Sequence, residues 1–300
     1  MTALALISIA VKHVTPGLKQ KLEECVFFSQ QAGYQAALEE KQIGQWPHMI
    51  LNCCEAAAAD KQFNNVFRRQ LAEKLTHYIV AEQALPYLKY LLLHNYFYFP
   101  QDERKIILTL AEQKYSDNPG KNQGSLIYTE ILHCLQEFLQ RSDYINLHGL
   151  IIFRLRLWLK LLQQTVDKAV DDFLLEKEYQ EFIKLLKYFV SLQQPKIDEI
   201  HVTVDAEGNF CLLDLQQQAL DWERDIDWDS CEGSSDKEDQ LVSMLITAAP
   251  KQIILHRDVY THYPRAADTL EHVFENRVSL CRHCKLCRAL SKNTNYKGKN

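Results

Sequence analysis

From Ile151 to Leu192 the chain contains neither glycine nor proline, and its residues are mostly strong helix formers. That stretch constrains the fold more than any other. Leu155, Trp158, Leu159, Leu162, Val166, Ala169, Val170 and Phe173 fall on one face at helical spacing, and Tyr179, Phe182, Ile183, Leu186 and Val190 make a second stripe. Two apolar stripes need a core to lie against. A single helix of this length is unusual in a globular protein, so the reading is two packed helices broken near Glu176.

The text on either side is organised differently. From Lys61 to Gln194 the period stays helical, beginning with the stripe Phe63, Val66, Phe67, Leu71, Leu75 and Ile79. Pro86 is expected to break or kink that helix. Pro100 and Asp102 restart another, Ser116 to Gly120 reads as a loop, and a third helix passes through Leu126, Ile131 and Leu135. Residues 1–60 read as a small α/β unit: a strand over Ala3 to Val11, a helix from Pro16 to Ala32, and strands at Tyr34 to Leu38 and His48 to Cys53 with Gly44 between them.

Pro195 ends the helical text. Glu199 to Asp205 and Asn209 to Leu213 alternate and share the turn Asp205 to Gly208, which predicts a hairpin. Leu241 to Ala248 is helical, Lys251 to His256 is a β run, Ala266 to Phe274 is helical and Arg277 to Leu280 is a β run. The last three form a β-α-β unit, whose strands should be parallel. The predicted class is therefore α+β, mixed. A mainly helical region (61–194) is flanked by the N-terminal α/β unit (1–60) and a C-terminal α/β domain (195–290), and 291–300 is a disordered basic tail.

At the end of that last domain stands Cys281-Arg-His-Cys284-Lys-Leu-Cys287. Thiolates at this spacing on a turn can converge on one zinc ion or on one edge of an iron–sulfur cluster. Three ligands do not close a tetrahedral site. Ligands in α/β sheets collect at the carboxyl ends of parallel strands, and His256 and Cys281 both stand there. The proposed metal set is thus Cys281, Cys284, Cys287 and His256, with His283 as the local alternative and Cys231 as a further one. The bland reading is three incidental cysteines. His201, beside Asp198 and Glu199, reads as a strand end with solvated charges.

Charge adds less. Nine acidic and two basic residues lie between Asp221 and Asp239, whereas Arg277 to Asn300 carries seven Lys/Arg and no acid. The acidic stretch 221–239 reads as a solvated loop. Arg154 interrupts an apolar helix, and Glu176 or Glu178 is its expected partner in a structural polar cluster, a buried interhelical pair. Arg156 should be more exposed. Nine cysteines, an odd number, with no secretory signal ahead of them, imply a reducing cytoplasm. No segment is long and apolar enough to span a membrane.

The blocks Phe153-Arg-Leu155, Glu176-Lys-Glu-Tyr-Gln-Glu-Phe-Ile183, Lys187-Tyr-Phe-Val190 and Pro195-Lys-Ile-Asp-Glu-Ile-His201 form one ordered series. It continues through Leu245-Ile-Thr-Ala-Ala-Pro-Lys251, Ile253-Ile-Leu-His256 and Phe274-Glu-Asn-Arg-Val278 to the cysteine motif. From Asn146 to Cys287 this series resembles the YtxC family, sporulation proteins of spore-forming Firmicutes. The resemblance implies a cytoplasmic protein in a sporulating bacterium. No biochemical activity carries over with it.

No nucleotide loop, nucleophile elbow or HExxH helix occurs in the chain, and no catalytic or cofactor-binding residue is assigned. The leading expectation is a sporulation-associated, non-enzymatic protein with a metal-binding cysteine terminus. The alternatives are a redox or iron–sulfur enzyme using the cysteine turn, and a nucleic-acid-binding regulator. The acidic stretch argues against the last, and a protein partner fits the first.

Overall fold

A computed structural model describes residues 4–117, 125–216, 218–220, 236–281 and 284. Its first strand, β1 (Leu4–Ala10), buries Ile7 and Ile9 completely. Thr15 caps the helix that follows, α1 (Pro16–Gln31), by accepting from the Leu18 amide at 3.2 Å, and Pro16 occupies the first turn. A tight turn at Gly44, whose φ of 63° favours glycine, joins β2 (Ala36–Ile43) to β3 (Trp46–Cys53). β3 pairs antiparallel with both β2 and β1. The sheet closes with β4 (Tyr144–Asn146), which lies parallel to β1 and gives the order β2-β3-β1-β4.

Helices α2 (Glu55–Ala59), α3 (Lys61–Tyr78), α4 (Ala84–Asn95), α5 (Gln101–Asp117), α6 (Leu126–Arg141) and α7 (Leu147–Arg154) share one core with this sheet. Trp158, Tyr78, Phe67 and Leu71 are among its most buried side chains. Residues 1–174 form one compact unit, so the strands of 1–60 and the helices after them bury the same apolar surface. Pro86 does not break the chain. The turn ahead of it, Ile79–Gln83, is π-helical, and α4 starts directly afterwards. The wider turn absorbs the hydrogen bond a proline cannot make. Ser116 and Asp117, expected in a loop, complete α5; 118–120 lie outside the described residues.

The long run breaks elsewhere than expected. The interruption is one residue, Leu155, with ψ of 49°, and α8 then runs unbroken over Arg156–Leu192. Leu174, Leu175, Glu176, Lys177 and Glu178 are all exposed within it. Exposure ends the apolar stripe without ending the helix, because Leu, Glu and Lys are strong helix formers and no capping residue intervenes. Glu176 also accepts from Gln180 Nε2 at 2.9 Å, one turn on.

Residues 175–300 form the second unit. Its sheet has the order β6-β5-β7-β8, from β5 (Glu199–Val204), β6 (Phe210–Leu213), β7 (Gln252–Leu255) and β8 (Val278–Leu280). β5 and β6 make the antiparallel hairpin. β7 is parallel to β5 and to β8, as the β-α-β reading required. Among the described residues, three helices accompany the sheet: α9 (Lys237–Ala248), α10 (Arg257–His262) and α11 (Pro264–Phe274). Ile200, Val202, Ile253 and Leu255 are fully buried, in a cluster with Ile183 and Val190 of α8. The fold is α+β, mixed, with two small sheets.

The acidic stretch ends earlier than 239. Asp236 caps α9 by accepting from the Glu238 amide at 3.0 Å, and Glu238 accepts from the Ala266 amide at 2.6 Å. Residues 221–235 and the basic tail lie outside the described residues.

Candidate metal centre

The pleat of the second sheet decides which side chains meet. Residues two apart share a face, so Glu199 and His201 stand opposite the core residues Ile200 and Val202. In the parallel ladder His201 is level with Ile254 and Ile254 with Ser279. Two residues further along, the same parity puts His256 and Cys281 on the face that carries His201. Backbone bonds extend both strand ends to that point, from the His256 amide to Val202 O at 3.0 Å and from the Cys281 amide to Leu255 O at 2.9 Å.

Cys284 completes the cluster, its Sγ 3.6 Å from His256 Nδ1. The ligand atoms of His256, Cys281 and Cys284 all lie within 4.8 Å of one another. Bonds of ~2.3 Å to sulfur and ~2.05 Å to nitrogen in a tetrahedron require S···N edges of about 3.6 Å, so the imidazole and the Cys284 thiol already stand at such a spacing. Cys287 and His283 lie outside the described residues, as does Cys231.

His256 is buried, with 1% of its surface exposed. Burial first, and the neighbouring His201 second, hold its pKa below the usual histidine value. The ring is therefore neutral at neutral pH, the form that ligates a metal. Its other nitrogen, Nε2, is 3.2 Å from His201 Nδ1, and His201 Nε2 is 3.0 Å from Glu199 Oε1. A carboxylate can only accept. His201 Nε2–H therefore donates to Glu199, His201 Nδ1 accepts from His256 Nε2–H, and the lone pair of His256 is left on Nδ1, facing the thiol. Outer hydrogen bonds of this kind orient ligating histidines and raise their basicity.

The expectation that His201 and Glu199 are solvated charges is thus replaced: both are partly buried and point into the cluster. The signal was present in the alternation of Glu199, His201 and Thr203, but the parallel register that puts them beside His256 cannot be read from one strand.

The other polar cluster does not form. Arg154, Glu176 and Glu178 are each exposed, as is Arg156. The expected buried pair required a break that would fold Glu176 back. Continuous α8 carries it about six turns onward instead.

The profile of the YtxC-like family matches residues 69–279. The Uncharacterized protein YtxC of Bacillus subtilis (strain 168) is 30% identical over 199 residues, covering 63% of this chain and 68% of that protein. No solved structure matches the chain. Among the described residues no helix is long and apolar enough to cross a membrane. With the family profile spanning well over half its length, this chain belongs to the YtxC-like family.

Proposed function

We propose that this protein is a zinc-binding, non-catalytic member of the family, acting in the cytoplasm of a sporulating cell. Its C-terminal unit is closed by a Cys3His site of His256, Cys281, Cys284 and Cys287. One observation supports the reading above the rest: a buried imidazole and two thiols, from two parallel strand ends and Cys284 beyond them, have their ligand atoms within 4.8 Å. Mixed imidazole and thiolate ligation suits zinc, and four protein ligands make the closed set of a structural site rather than the open one of a catalytic site. Glu199 and His201 hold the imidazole in the ligating tautomer. A protein partner fits such a role better than a substrate does.

Elemental analysis of protein purified without oxygen or chelators tests this, together with a visible absorption spectrum. The expected result is one zinc per chain and a colourless sample. A brown sample with iron and inorganic sulfide would replace zinc with a cluster, and protein free of both metals would overturn the proposal.

A further inference from the structure

The first sheet also has a parallel pair, and its carboxyl end opens on a cavity of about 520 Å³ far from the metal chemistry in sequence. β1 delivers Val11, Lys12 and His13 to this cavity, and β4 delivers Leu147 and His148. Strand ends of this kind are where α/β sheets hold ligands. The volume falls in the range of small-molecule sites, about 300–1,000 Å³.

The walls are mainly apolar and aromatic, with Tyr87, Tyr90 and Ile151 among them. Polar groups converge at two places. Tyr78 OH is bonded by Gln83 Nε2 at 2.7 Å and by Thr15 Oγ1 at 3.0 Å. Tyr87 OH meets His148 Nδ1 at 3.1 Å. Gln83 is the last residue of the π-helical turn, a geometry that recurs at functional sites. Lys12 is cationic, and none of the described residues lining the cavity is acidic.

We propose that this cavity binds a small aromatic anion, with its ring against Tyr87, Tyr90 and Ile151 and its anionic group toward Lys12. His148 adds a second polar contact. Burial first, and the charge of Lys12 second, keep its pKa below the usual histidine value, so the ring is neutral. In the tautomer where Tyr87 donates to Nδ1, His148 Nε2–H can donate a hydrogen bond to the anion. The aromatic walls supply affinity, and the cation at the rim selects sign. The proposal is independent of the zinc site, since every residue in it belongs to the unit of residues 1–174.

The probe is 1-anilinonaphthalene-8-sulfonate, an aromatic sulfonate, titrated into the full chain and followed by fluorescence. This dye also adheres to exposed apolar surface such as Phe182 and Leu185, so two variants separate the sites. Lys12→Gln removes an exposed cation, and Ile152→Trp projects bulk into the cavity from a residue already 40% exposed; neither disturbs the core. The expected result is one saturable site, weakened about fivefold or more by Lys12→Gln and abolished by Ile152→Trp. Loss in Ile152→Trp with no change in Lys12→Gln would overturn the assignment of an anion. Binding unchanged in both variants, or no saturable binding in the unaltered chain, would overturn the site.

Discussion

His201 stands between an acceptor it must satisfy and a histidine it must orient. Glu199 accepts from its Nε2–H, and His256 presents Nε2–H to its Nδ1. Replacing His201 by phenylalanine keeps a ring of similar bulk but removes both bonds, so the partner that fixes the His256 tautomer is lost. Zinc affinity should fall by about 10–100-fold, measured by competition with a chromophoric chelator. Glu199→Gln should weaken binding less, because an amide oxygen still accepts. If His201→Phe binds zinc as tightly as the unaltered chain, the outer hydrogen bonds do not position the ligand. The cysteine spacing and the strand-end position of His256 were legible from residues alone. His201 was not, because its role depends on a register set by pairing between distant segments.

At the scale of elements, α8 is the clearest case of local sequence and tertiary packing answering different questions. Its apolar stripes locate the buried faces correctly: Trp158, Leu162, Val166 and Phe173 in one core, Ile183 and Val190 in the other. They do not locate its ends, since exposure at Leu174–Glu178 costs a helix of good formers little. The substitution Glu176→Pro discriminates the two geometries. In a loop it would be nearly neutral. Inside α8 it removes one backbone hydrogen bond and clashes with the preceding turn, so stability should fall by about 3 kcal/mol, read from denaturant unfolding of the affected unit. The hairpin and the β-α-β were predicted more securely because their turns and periods are local. The π-helical turn before Pro86 was not, because proline marks a disturbance without saying whether the helix stops, kinks or widens.

For the whole molecule, sequence and structure agree on an α+β chain and divide it differently. Composition marked boundaries near residues 60 and 195, whereas the packing joins everything up to residue 174 and begins the second unit inside α8. A strand as short as β4, followed at once by α7, leaves almost no periodic signal, yet it ties the helical region to the first sheet. The second unit is the smaller, and its sheet ends in a three-residue strand that leads directly to Cys281. A metal bound there would stabilise the unit through mass action, since an unfolded chain has no preformed site. Cobalt(II) titration of the metal-free chain reads that site directly, because tetrahedral thiolate ligation gives intense visible bands and a sulfur-to-metal charge-transfer band. The account predicts both at one equivalent, with the tetrahedral spectrum lost or sharply weakened in Cys284→Ser and in His256→Gln. The weak pink spectrum of aqueous cobalt throughout the titration would contradict it.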